Sequence, residues 1–147
     1  MKTRKTKLKL RVTHAEVWAA TISNRPGDLA KELAALSEAG ADLEFVITRL
    51  APEMPGRGVV FLTPLRKTAE LRAATLAGFR KVKKDRMVRV EAAGTRGLAA
   101  QVATALGDAG INIRGFSAAR VGRRGVAFIT LDRREDAEKA IRILRKL

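Results

Sequence analysis

The sequence predicts an α+β protein made of two copies of one β-α-β-β-α-β unit, and three observations predict it. One block occurs twice without a gap: NRPGDLAKELAALSEAGADL from Asn24 to Leu43 and GTRGLAAQVATALGDAGINI from Gly94 to Ile113. A second pair follows each copy, GVVFLTPL at 58–65 and GVAFITLD at 125–132, and the connection before it is three residues shorter in the second half. Hydrophobic periodicity also alternates between the strand and helix spacings in the same order in both halves. A 147-residue chain that repeats itself once reads as two small, similar domains rather than a solenoid.

In the first repeat, Glu16 to Ser23 (EVWAATIS) is apolar and β-branched and reads as a strand. Asn24-Arg25-Pro26-Gly27 is a turn cluster. Leu29, Leu33 and Leu36 then fall on one helical face, so Asp28 to Ala39 reads as an amphipathic helix that Gly40 ends. Leu43 to Leu50 and Gly58 to Thr63 read as strands separated by a loop rich in proline and glycine. Thr68 to Gly78 reads as a helix and Phe79 to Lys83 as a short fourth strand. The order is that of the ferredoxin-like fold. The second repeat matches: strand Met87–Ala92, helix Leu98–Ala109, strand Asn112–Arg120, turn Gly122–Gly125, strand Val126–Leu131, helix Glu135–Arg145. It has no fourth strand of its own, and the alternating Leu8–Val12 offers an edge strand from the N-terminus. In the ungapped alignment, Leu29 and Leu33 meet Ala99 and Ala103, while Leu98 and Val102 sit one residue earlier. The second helix is therefore expected to be rotated slightly, or its turn to differ in length. The resulting domains are a basic N-terminal arm at 1–15, a first repeat at 16–84 and a second at 87–147.

Composition limits the function classes. The chain is 46% apolar and 31% charged, as in globular proteins. No apolar run is long enough to span a bilayer, and the basic N-terminus lacks the apolar core of a secretory signal, so the expected location is cytoplasmic with no membrane partner. Cysteine is absent, which excludes disulfide and thiol chemistry. A single histidine, His14, with no cysteine makes no metal cluster, and no nucleophile motif or spaced carboxylate pair accompanies it. The protein is therefore expected not to be an enzyme and to need no cofactor. The net charge of +15 gathers in the arm (Lys2, Arg4, Lys5, Lys7, Lys9, Arg11), in Arg80, Lys81, Lys83, Lys84 and Arg86, and in Arg120, Arg123, Arg124, Arg133 and Arg134. Such a field attracts polyanions without selectivity.

A strand, Asn24-Arg25-Pro26-Gly27 and an amphipathic helix ending Glu38-Ala39-Gly40-Ala41-Asp42-Leu43 resemble the ACT domain. The second copy, with Gly97 and Ala109-Gly110-Ile111-Asn112-Ile113, fits the same pattern. The resemblance spans about residues 16–147 and implies a stand-alone pair of ACT modules: a non-catalytic, regulatory, amino-acid-binding protein that assembles with itself or with a regulated protein partner. It also implies a ligand site at the interface of the two repeats. In such domains one asparagine precedes the Pro-Gly turn and another follows the helix, from the neighbouring domain. Asn24 and Asn112 hold those positions here, and Gly94 and Asp42 form the degenerate reciprocal pair. The expected ligand residues are thus Asn24, Arg25, Pro26, Gly27, Asp28, Asp42, Gly97 and Asn112. Independently, Gly27 and Gly97 sit at helix N-termini, whose free N–H groups suit a carboxylate. The alternative is a basic ferredoxin-like nucleic-acid-binding protein acting through the arm. It is disfavoured because aromatics are only 4% of the chain and tyrosine is absent, leaving little for bases to stack on.

Overall fold

The computed structural model describes residues 10–82, 86–94 and 96–147. Twelve elements follow one another among these residues: β1 (Leu10–His14), β2 (Trp18–Ser23), α1 (Asp28–Glu38), β3 (Phe45–Leu50), β4 (Arg57–Thr63), α2 (Thr68–Leu76), β5 (Arg80–Lys81), β6 (Met87–Ala93), α3 (Leu98–Asp108), β7 (Ile113–Val121), β8 (Arg124–Leu131) and α4 (Arg134–Leu144). They form two four-stranded antiparallel sheets, ordered β3-β4-β2-β5 and β1-β6-β8-β7. Each sheet carries two helices, which is the predicted α+β, ferredoxin-like arrangement in both repeats. The expected cationic arm up to Lys9 and the basic residues Lys83 and Lys84 lie outside the described residues.

The first unit, 16–82, buries Ala20, Val60 and Leu62 from its sheet against Leu36 of α1 and Ala74 of α2. The alternation of β2 and β4 explains this: Trp18, Ala20 and Ile22 pair with Leu62, Val60 and Gly58 on one face. Trp18, expected in a core or interface, packs half-buried against that cluster. The first helix begins at Gly27, whose φ of 87° is a left-handed conformation that costs glycine nothing. Helix α2 is started by Glu70, only 5% exposed, whose Oε2 accepts the backbone N–H of Arg66 at 3.1 Å and that of Lys67. This is the reciprocal half of a capping box.

The second unit comprises 86–147 together with 10–15. Here β1 fills the place of the missing fourth strand: Leu10 to His14 pair with Ala92 to Val88 of β6. Within the stretch expected as an arm, residues 10–14 are sheet and Val12 is core. The guanidinium of Arg145 fixes the strand from the helical side, donating to the Val12 carbonyl at 2.9 and 3.2 Å. His14 ends the strand, exposed, and takes no part in a cluster.

The mismatch between the two helices resolves as a rotation. Both start on a left-handed glycine, Gly27 and Gly97, so the turns are equal in length. Helix α3 buries Leu98, Val102 and Leu106. Helix α1 buries Leu36 completely and rests Leu29 and Leu33 on the core instead. The first-repeat residues at the positions of Leu98 and Val102 are Asp28 and Glu32.

Candidate functional site

Each repeat presents a glycine turn between its first strand and its first helix. In the first unit the Asn24 N–H donates to the Gly56 carbonyl at 2.9 Å, and the Asp28 N–H to the Arg25 carbonyl at 3.3 Å. Asn24, Arg25, Pro26 and Gly27 are all exposed, and a Cβ built on Gly27 would meet nothing within 4 Å. The glycine is therefore required by its backbone angle, and the space above it is open. Gly97 repeats both properties, with φ of 74°.

Beside Gly97 lies a cleft of about 250 Å³, lined by Gly97, Leu98 and Ala99 of the α3 start, Ala118, Ala119 and Arg120 of β7, and Gly125 of β8. The lining combines a helix N-terminus, small apolar residues and the exposed Arg120, whose Nε donates to the Gly122 carbonyl at 3.0 Å. Free N–H groups and a positive dipole end complement a carboxylate. Sequence reasoning missed Arg120 as a site residue, because a hairpin arginine among Arg123 and Arg124 reads as surface charge. The register signal existed: Arg120 pairs with Gly125, the glycine that opens the repeated strand.

The other expected residues are distributed as follows. Asn112 and Asp42 both lie just after a helix, exposed. Asn112 Nδ2 donates to Asp132 Oδ2 at 3.2 Å, and Arg114 pairs with the same carboxylate at 3.6 Å, so part of the amide's capacity is already used. Asn24 and Asn112 belong to different units. Of the eight expected residues, Asp28 lines a second, larger cleft of about 600 Å³ in the first unit, between α1 and α2.

That larger cleft holds Asp28, Lys31, Glu32 and Ala35 on one stripe of α1, and Ala73, Leu76 and Ala77 on α2. The ends of β2 (Thr21, Ile22, Ser23) and β4 (Arg57) close it. Glu32 is half-buried and has one carboxylate oxygen, Oε2, sealed from solvent with no hydrogen-bond partner. Burial pushes its carboxyl above the usual 4.5, and the neighbouring charge of Asp28 pushes the same way. Across the window from 4.5 to the raised folded value, the folded state binds more protons than the unfolded one, so stability falls as pH rises. Glu32→Gln should remove this loss. Urea titrations at several pH values should show a flatter profile for the variant above pH 4.5 and no difference well below it.

In the second unit the main ion group is Glu91, which accepts from Arg89 Nη1 at 2.9 Å and from Arg124. Its carboxyl lies below the usual range, held there first by the hydrogen bond from Arg124 and then by that from Arg89. Among the described residues no group of three or more His, Cys, Asp or Glu is placed to hold a metal ion. No helix among them is long and apolar enough to cross a membrane.

Residues 86–147 match the family model of the ACT domain. The second unit is an ACT domain. The first unit repeats the ACT order of strands and helices, with the same left-handed glycine ahead of its first helix. No curated protein sequence matches the chain. Solved structures resemble it in fold at low identity. The ligand-free regulatory subunit of aspartate kinase from Thermus thermophilus is 20% identical with a TM-score of 0.62, and the match covers 95% of this chain and 97% of that one. A protein of Bacteroides thetaiotaomicron is 13% identical with a TM-score of 0.68, covering 87% and 86%. Aspartate kinase from Synechocystis is 18% identical with a TM-score of 0.61, where 98% of this chain covers 27% of the enzyme. At these identities the likeness concerns the fold alone.

Proposed function

We propose that the chain is a non-catalytic regulatory protein that binds a free amino acid at its ACT turns and passes the binding state to a protein partner or a second copy of itself. The observation that carries this reading is the ACT match over 86–147 on a unit whose Gly97 turn opens onto a cleft beside Arg120. The α3 N-terminus and the Arg120 guanidinium would hold the ligand carboxylate, and Ala118 and Ala119 would face its side chain. In the first unit Asn24, Arg25, Gly27 and Asp28 offer the equivalent turn, where the Asn24 amide can serve an ammonium or a carboxylate. Asn112 and Asp42 remain candidate ligand residues at the far ends of the helices. The Thermus thermophilus relative, a regulatory subunit, supports a regulatory role on the same fold.

Titration calorimetry of the intact chain against the twenty amino acids tests this directly. One or a few should bind at constant affinity over a range of salt, and Arg120→Ala, Asn24→Ala or Asn112→Ala should weaken that binding by about tenfold where the residue holds the ligand. Unchanged affinity in all three variants overturns the assignment. Nucleic-acid binding is disfavoured by the aromatic residues on the repeated strands: Arg49 lies over the Phe61 ring at 5.5 Å, and Phe128 is 4% exposed.

A further inference from the structure

The cleft between α1 and α2 shares only Asp28 with the reading above, which rests on the turns. Its origin can be read by laying one repeat over the other. In the second unit the corresponding space is filled: Val102 and Leu144 are wholly buried and Leu98 nearly so. The first-repeat residues at those positions are Glu32, Ala77 and Asp28. Leucine has become alanine and valine a carboxylate, and about 600 Å³ is left open. That is within the range of small-molecule sites.

The lining has two halves. Ile22, Ala35, Ala73 and Ala77 make apolar walls, and Leu76, 83% exposed, stands on the rim with its hydrocarbon in water. Against them stands Glu32, whose Oε2 is sealed from solvent without a donor. Buried acceptors are normally satisfied, so Glu32 lines the cleft with a carboxylate whose demand for N–H donors the protein does not meet. Asp28, one turn earlier on the same stripe, adds a second negative charge. Lys31 and Arg57 also line the cleft, but both are exposed and can carry their charged ends into solvent.

We propose that this cleft binds a small organic ammonium ion, a protonated amine on a short hydrocarbon body. The ammonium donates to the Glu32 carboxylate, and the hydrocarbon lies on Ala35, Ala73, Ala77 and Leu76. The second repeat has no such site, because Val102 and Leu144 occupy the corresponding positions, wholly buried.

The test uses n-butylammonium chloride and n-butanol as probes of the intact chain at neutral pH, followed by amide chemical shifts. The ammonium should shift residues of α1 and α2 saturably, and the alcohol should bind at least about tenfold more weakly. Ala77→Leu, which installs the side chain of the second repeat, should abolish the response. Glu32→Gln should weaken it at least about tenfold while the spectrum stays folded. Asn24→Ala should leave it intact, which separates this site from the amino-acid reading. Absence of saturable shifts, equal binding of the alcohol, or unchanged binding in Ala77→Leu and Glu32→Gln overturns the proposal.

Discussion

Val12→Asp is expected to unfold the second unit. Val12 is 3% exposed and packs in the cluster that contains Val88, Val90, Ile129 and Leu144. It sits at the middle of β1, opposite Val90, and its carbonyl receives both Arg145 hydrogen bonds. An aspartate there replaces a buried hydrocarbon with a carboxylate among apolar side chains. The cost is on the order of several kcal/mol, a large share of what so small a unit has to spare. Hydrogen exchange should show β6 and β8 amides losing protection. Trp18, the sole tryptophan, lies in the other unit, so its emission reports the first unit separately. Native-like protection of β6 in the variant contradicts the prediction.

The second large effect is an asymmetry between reciprocal exchanges. Val102→Glu imports the first-repeat residue into a position that is wholly buried in the second unit. It should cost roughly 3 kcal/mol or more, because the carboxylate displaces core packing and meets no partner. The reverse exchange, Glu32→Val, removes a half-buried carboxylate with an unsatisfied oxygen and should cost less than about 1 kcal/mol, or stabilise. Urea denaturation of the two variants beside the parent measures both. Similar losses in the two would mean that the positions are not equivalent.

The β-α-β-β-α-β order was legible because each cue is local. The turn glycines Gly27 and Gly97, the leucine spacing of α1 and the repeated Gly-Val strands all act within a few residues of themselves. The structure places every expected element, with ends moved by one or two residues: α1 stops at Glu38 instead of Ala39, and β8 begins at Arg124 instead of Val126. The pairing of β1 with β6 is of another kind. It joins residues far apart in sequence, and a five-residue alternation does not name its partner. The alternation of Leu8–Val12 offers an edge strand, but only the sheet shows which strand it joins.

The cleft was half legible. The slip of Leu98 and Val102 against Leu29 and Leu33 already set Glu32 at a core position of the second helix. A glutamate between Lys31 and Leu33 nevertheless reads as solvent-facing. Only the observed helix phase, and an alanine at 77 where the other repeat has leucine, turn it inward. Arg120 was hidden for a simpler reason: its chemistry depends on which turn lies across from the hairpin, and that is a property of the sheet.

The place of β1 also bears on the chain's birth at the ribosome. Residues 16–82 contain every strand of their own sheet, so that unit can close as soon as it has emerged. Leu10–His14 emerge earlier still, but their partner is β6, and the helix whose Arg145 clasps Val12 emerges after both. The strand β1 is thus made well before its place exists, and the loop it must close encloses a whole folded unit. Long-range closure of this kind slows folding. Until then β1 and β6 both offer unpaired edges, which makes the nascent second sheet the part of this protein most in need of protection from its neighbours.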